Sequence, residues 1–352
     1  MKNKIRFLGF IALAAIMIIS FPSCSDSKSK VANNSGFSVK NSDQWKEAIN
    51  AIMSGGDNKT HTVNVTEDFN IPGTAVSTFG SLTGITITII GDKKISLADG
   101  SIGSLLRVGS GQTVILQDVD LQGNKANKYP LVYTNGKALI MRGSASVSGN
   151  ARRGVYLSEG TFTMKDNASV FDNTVTGTNG GGVYAGGGTF IIQDNASVHS
   201  NTATFTIGRN NTIIGAEGGG VYIASGGAVI MEGGSVNGNN SVSGAGVYIA
   251  NGGSFRAIGG SLYGNTAENN GGGMYITWRG SSLMEGGSVY GNTATKNGGG
   301  VYIDGGGSSV MEGGTVYGRD AEESFKNTAE RGVAVYDENQ STSNRALDNT
   351  VR

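Results

Sequence analysis

The sequence predicts an all-β fold: a single-stranded parallel β-helix, or solenoid, entered through a short capping helix. Three observations predict it. First, one unit recurs: Gly-Gly-Val-Tyr, a glycine turn, a short apolar stretch, then Gly-Asn-Thr. It reads GGVYAGGGTF at 181–190, GGVYIASGGAV at 219–229, GAGVYIANGGSF at 244–255, GGMYITWRGSS at 272–282 and GGVYIDGGGSS at 299–309. Repetition at 20–50 residues signals stacked units that share one core. Second, the repeat length varies in one place only. The tyrosines of successive units stand at 133, 156, 184, 222, 248, 275, 302 and 336. The extra residues fall after Asn-Thr and before the next Gly-Gly, chiefly in 202–218 and 319–331. Third, glycine makes up 59 of 352 residues without a collagen period, and only three prolines occur. The regular apolar positions between the glycines argue against a disordered chain.

The elements follow in order. Lys2, Lys4 and Arg6 precede an uncharged stretch from Phe7 to Phe21. Its 15 residues are fewer than the ~20 that span a bilayer, and it reads as the apolar region of a signal peptide over 1–23. Cys24, the one cysteine of the chain, follows directly. This placement resembles the lipobox of bacterial lipoproteins, in which the cysteine is lipidated and becomes the new N-terminus. Phe21 and Pro22 stand where that motif has leucine and a small residue. The alternative is a plain signal peptide cut nearby. Acyl chains anchor through ~0.8 kcal/mol per buried methylene, and two chains hold a protein stably at a membrane. Removal of 1–23 leaves 24 basic and 27 acidic residues, a net charge of −3. A single cysteine forms no internal disulfide, so the fold rests on packing. Residues 24–40 are small and polar, as in a flexible tether.

In DQWKEAINAIM (43–53), Trp45, Ala48, Ile49, Ile52 and Met53 share one helical face. Ser42 is placed to begin this helix and Gly55 to end it, within a capping segment 41–56. It would cover the apolar cross-section of the first coil and block edge pairing. From about 60 to 340 the chain reads as coils. HTVNVTEDF, ITITII, LLRV, TVILQDVDL, LVYT and ALIMRG each read as one strand. A polar tail, 341–352, follows. In the coil at 245–266, alternation puts Val247, Ile249, Phe255, Ala257 and Leu262 inside. Equivalent inward sets are Val155, Leu157, Phe162, Met164 and Val170; Val183, Phe190, Ile192 and Val198; and Val221, Ile223, Val229, Met231 and Val236. Each buried side chain contributes ~1.5–3 kcal/mol. Glycine pairs such as 233–234 and 259–260 mark sharp turns. Asn173, Asn201, Asn265, Asn292 and Asn327 recur in one register, as in an amide ladder within a turn. Ligand binding by these asparagines is the alternative, although buried polar groups in turns normally serve the backbone.

Gly-Gly-Val-Tyr followed by Val-x-x-Asn (Val170–Asn173, Val198–Asn201, Val289–Asn292, with Leu262–Asn265) resembles the repeats of bacterial polymorphic outer-membrane proteins and adhesin-like passengers. The resemblance covers about 130–340. It implies a right-handed, pectate-lyase-like parallel β-helix displayed at the cell surface. Such passengers usually precede a C-terminal membrane barrel, and this chain ends in a polar segment without alternating ten-residue strands. Lipidation would take the barrel's place, with the chain held in the cell envelope at the outer membrane.

Zero net charge gives no reason to expect nucleic acid. His61 and His199 lack metal-ligand spacing, no phosphate loop or nucleophile motif occurs, and no cofactor is expected. Glu232, Glu285 and Glu312 share a register after Met and before Gly-Gly. Lys165, Gln193 and Ile258 occupy that place in other coils, so a solvated turn is the simpler reading. A polysaccharide lyase or glycoside hydrolase, which would need two positioned carboxyls, is the alternative function. The favoured reading is a non-catalytic, adhesin-like or structural binding protein whose partners are the membrane, through its lipid, and a glycan or a host or cell-surface protein. Its candidate ligand-binding residues are two columns of outward tyrosines: Tyr222, Tyr248, Tyr275 and Tyr302 with their equivalents, and Tyr263, Tyr290 and Tyr317. Ring stacking and phenol hydrogen bonds would engage the glycan. The plainer reading is cross-strand stacking that stabilises the sheet.

Overall fold

The computed structural model describes residues 35–209, 212–340 and 346–352. The signal segment, Cys24 and the first part of the proposed tether lie outside the described residues. The rest is a right-handed parallel β-solenoid of about ten turns. Its three long sheets have 11, 10 and 10 strands among the described residues, and a fourth, shorter sheet has five. Each strand pairs in parallel with its copy one repeat on. Val221 lies beside Val247, then Met274, then Val301, and Tyr222 beside Tyr248, Tyr275 and Tyr302. Parallel pairing at constant register stacks like on like, so inward residues form columns.

The predicted inward residues are buried throughout. Val247 and Ile249 have no exposed surface, and Phe255, Ala257 and Leu262 have 4% or less. One cluster of buried apolar residues runs from Val39 to Val335. The glycine turns follow from the same stacking. In each pair the second residue takes positive φ, as at Gly234 (66°) and Gly260 (80°), a region closed to most side chains. The glycine before Val-Tyr, or before Met274-Tyr275, answers a different demand. A Cβ on Gly273 would stand 2.6 Å from the Gly300 carbonyl oxygen and 2.8 Å from Val289 Cγ1. Adjacent coils approach too closely there for any side chain.

The helix spans Ser42–Gly55 and buries Trp45, Ala48, Ile49 and Ile52 against the first coils, where the Trp45 ring lies 6.2 Å from that of Phe69. Met53 is 38% exposed, off the buried face. The cap is Asn41 rather than Ser42. Asn41 Oδ1 accepts the Gln44 N–H at 3.0 Å, meeting one of the unpaired first-turn donors. The helix ends at Gly55, as expected, with Gly56 (φ 84°) as its C-cap.

Other boundaries differ from the expectation. Ser35–Val39 is not tether but a strand, paired with Thr60–Val65, so the solenoid begins before its capping helix. The stretch TVILQDVDL is two strands, Thr113–Gln117 and Asp120–Gln122, divided at Asp118 (φ 58°). HTVNVTEDF contributes to two strands as well, Thr60–Val65 and Phe69–Ile71. The insertion 202–218 carries an antiparallel hairpin of Thr206–Ile207 and Ile213–Ile214. The polar tail is used. Ala346–Leu347 pairs antiparallel with Val335–Asp337, and Val351 exchanges two 2.9 Å backbone hydrogen bonds with Val316. Two of the sheets thereby end on antiparallel partners, which removes an open template at those edges.

Candidate functional site

The first tyrosine column stands on the sheet that contains Val132–Thr134, Val155–Leu157, Val183–Ala185, Val221–Ile223, Val247–Ile249, Met274–Ile276, Val301–Ile303 and Val335–Asp337. In each of these strands the residue before the tyrosine is buried, and the tyrosine therefore faces outward. Successive ring centroids are 4.6–5.5 Å apart, close to the spacing of the strands themselves. Six of the seven contacts are near-parallel stacks, and Tyr275–Tyr302 is tilted by 32°. This geometry alters what the column can offer. Each ring face is covered by its neighbours, so a sugar finds ring edges and hydroxyls rather than open platforms.

Exposure falls toward the C-terminal end. Tyr133 to Tyr275 are half-buried, whereas Tyr302 and Tyr336 are only 4% and 6% exposed. The expectation of outward, accessible rings therefore fails at these last two. The Tyr302 hydroxyl donates to the Glu338 carboxylate. Burial first, then the nearby carboxylates, push the phenols of Tyr248, Tyr275 and Tyr302 well above their ordinary range; Glu217 and Asp304 act on the first, Asp304 and Glu338 on the others.

Two arginines complete this face, and the sequence reading missed both. Arg107, in the strand Leu106–Val108, pairs in register with Tyr133 and so occupies the rung before it. Its guanidinium carbon lies 4.0 Å from the Tyr133 centroid, a cation–π contact. The signal was available: LRV aligns with VYT. Arg153 lies 4.4 Å from the Tyr184 centroid and 5.5 Å from that of Tyr156. Those rings are 4.9 Å apart, so it stands beside the stack. It donates to the Asn179 carbonyl at 2.8 Å and to Thr178 Oγ1 at 2.7 Å. Burial, then neighbouring Arg152, push its pKa down to about 10, which leaves it charged at neutral pH.

The second column behaves differently. Tyr263 and Tyr290 stack at 5.1 Å, but Tyr317 meets Tyr290 edge-on at 6.1 Å. Phe325, from the insertion 319–331, packs 5.3 Å from both Tyr290 and Tyr317. The insertion thus covers that end of the column. The same register continues upstream as Phe171 and His199, stacked at 5.1 Å. Burial lowers the pKa of His199. His61 lies on a different sheet, so the two histidines do not meet.

Glu285 and Glu312 stand in adjacent turns and Glu232 two turns before Glu285, and two of the three have partners. Glu285 receives Arg256 Nε at 2.6 Å and Nη2 at 3.0 Å, and Glu232 accepts from Gln193 Nε2 at 2.7 Å. Arg256 holds the Glu285 carboxyl below its usual range, the opposite of what a general acid requires. Among the described residues no group of three or more His, Cys, Asp or Glu is placed to hold a metal ion.

The asparagine register is a continuous amide ladder, longer than the Asn-Thr motif indicated. It includes Asn127, Asn150 and Asn239, which precede other residues. Asn265 Nδ2 donates to Asn292 Oδ1 at 2.9 Å and to the Val236 carbonyl at 3.0 Å. Asn173, Asn201, Asn239, Asn265, Asn292 and Asn327 have no exposed surface, so they serve the turn and meet no ligand.

Fold and site together define a class: a right-handed parallel β-solenoid with an external tyrosine ladder. No protein-family model, curated protein or solved structure matches the chain.

Proposed function

We propose that this protein is a non-catalytic, adhesin-like or structural binding protein of the cell envelope. In this reading the segment 1–23 is a signal peptide, Cys24 carries the lipid anchor, and the solenoid is displayed at the outer membrane. Its ligand is a glycan, or a glycan-bearing cell-surface protein, held along the tyrosine ladder. One observation carries the binding role: six half-exposed phenols, Tyr133 to Tyr275, stand in register on one face. Aligned hydroxyls beside apolar ring edges suit a saccharide, which has both hydroxyls and C–H faces. The paired glutamates favour binding over hydrolysis, since Glu285 is held ionised by Arg256.

The test uses a glycan and cell-surface-protein array with the full-length chain and two hydroxyl-deletion variants. One replaces Tyr133, Tyr156 and Tyr184 with Phe, and the other Tyr248, Tyr275 and Tyr302. Phenylalanine keeps the stacked rings, so folding is spared. Loss of binding in at least one block supports the reading. Full binding by both, or release of reducing ends from a bound glycan, overturns it. Mass spectrometry of the mature N-terminus tests the anchor, with a diacylglyceryl adduct on Cys24 expected. A free Cys24 thiol or cleavage elsewhere removes the anchor.

A further inference from the structure

The ladder is charged oppositely at its two ends. Toward the C-terminal end, Glu217, Asp304 and Glu338 act on Tyr248, Tyr275 and Tyr302. Toward the other end the charged groups at the stack are Arg107 and Arg153, with Arg152 next to Arg153 in the chain. None of the three arginines belongs to an ion pair among the described residues. Arg153 spends its donors on Asn179 and Thr178. Arg107 is half-buried, and among the described residues its guanidinium has no hydrogen-bond partner. It rests on the face of Tyr133.

Arg107 and Tyr133 also line a depression of ≈ 390 Å³, together with Ser77, Ser81, Thr83 and Asn135. Small-molecule sites run from roughly 300 to 1,000 Å³, so this one suits a chain end rather than a length of polymer. Its chemistry is specific. A guanidinium offers a rigid fork of N–H donors that matches an oxyanion bidentately. Four hydroxyls, of Ser77, Ser81, Thr83 and Ser110, and the Asn135 amide line the same depression, each able to donate and accept. A tyrosine edge supplies the apolar contact. The Arg107 charge has no carboxylate partner among the described residues, and a ligand's acid group would supply one.

We propose that the Arg107–Tyr133 end of the ladder binds a saccharide that carries an acid group, with Arg107 on the acid and Ser77, Ser81, Thr83 and Asn135 on the ring hydroxyls. This rests on the reading of the ladder face as a binding surface, and it names both the end used and the ligand class. The carboxylates at Glu217, Asp304 and Glu338 disfavour the same ligand at the opposite end.

Titration calorimetry with four probes tests it: 3′-sialyllactose, 3′-sulfolactose, lactose and inorganic phosphate, against the full-length chain and the variants R107Q, R107K and D92N. The two acidic sugars are expected to bind at least about tenfold tighter than lactose, a gap of about 1.4 kcal/mol. That advantage shrinks as salt rises. R107Q reduces both to the level of lactose, R107K keeps part of the gain, and D92N, at an exposed turn away from this face, changes nothing. If R107Q does not fold, the loss of the fork in R107K is still expected to lower acidic-sugar affinity measurably. Acidic sugars that bind no tighter than lactose, or as tightly to R107Q as to the native chain, refute the acid site and leave the binding-face reading intact. Phosphate that binds as well as the acidic sugars, in an Arg107-dependent way, overturns saccharide recognition here. No binding of any probe defeats this proposal, and an array blank for every glycan and protein defeats the broader reading too.

Discussion

Asn265 uses the full hydrogen-bonding capacity of its amide. Its Oδ1 accepts from the backbone N–H and the side chain of Asn239, both at 3.0 Å, while Nδ2 donates to Asn292 and to the Val236 carbonyl. Wholly buried, it has no water to fall back on. Its replacement by Leu strands donors on Asn239 and the Val236 carbonyl, while Asn292 Oδ1 keeps only the backbone N–H of residue 265. Each buried group left unsatisfied costs ~1–3 kcal/mol. Asn265→Leu is therefore expected to lower the unfolding midpoint clearly in thermal or urea denaturation. A midpoint equal to that of the native chain would contradict the ladder's structural role. Asn270, by contrast, is half-buried and accepts from Asn297 Nδ2 at 3.1 Å. Water can replace that bond, so Asn270→Ala should cost less.

At the scale of the element, the tyrosine sheet ties stability to pH. Tyr248, Tyr275 and Tyr302 have phenols raised above the ordinary value of 10.0, with burial the largest cause in each. The folded chain thus holds their protons more tightly than the unfolded chain does. Below pH 10 both states are protonated and the contribution is fully present. As the pH rises above 10, the unfolded phenols ionise first and stability falls. The expected outcome is cooperative loss of the sheet signal in alkali, with the phenolate absorbance of these tyrosines appearing together with unfolding. Ionisation near pH 10 with the sheet intact would contradict it. The tyrosine-to-phenylalanine block at 248, 275 and 302 should flatten the alkaline decline.

At the scale of the whole solenoid, each coil touches mainly its neighbours, so stability is close to a sum of coils and interfaces. The N-terminal helix closes the first interface. Trp45, 6% exposed, contributes the largest side chain of that closure. Trp45→Ala removes a packed indole, at about 3–5 kcal/mol for a core aromatic. Hydrogen exchange should then show protection lost first in Thr60–Val65 and later in the coils around Val221–Ile303. Uniform loss along the chain would mean that the coils open as one unit, against the nearest-neighbour picture.

Much of this molecule is legible in its sequence, because a solenoid is built by repetition. Val247, Ile249, Phe255 and their equivalents declare the core through strand alternation, and the tyrosine spacing sets the register. Each coil carries its own instructions, so the fold class, the inward columns and the two tyrosine columns need no long-range knowledge. What only the tertiary structure decided lies between coils and at their ends. Stacking closed the ring faces that an isolated Val-Tyr-Ile strand would present. The insertion brought Phe325 onto Tyr290 and Tyr317, and Glu338 reached Tyr302 from 36 residues away. Arg107 joined the ladder because of its register, not its residue type. Local patterns record which way a side chain points; which neighbour it meets depends on how the coils pile up.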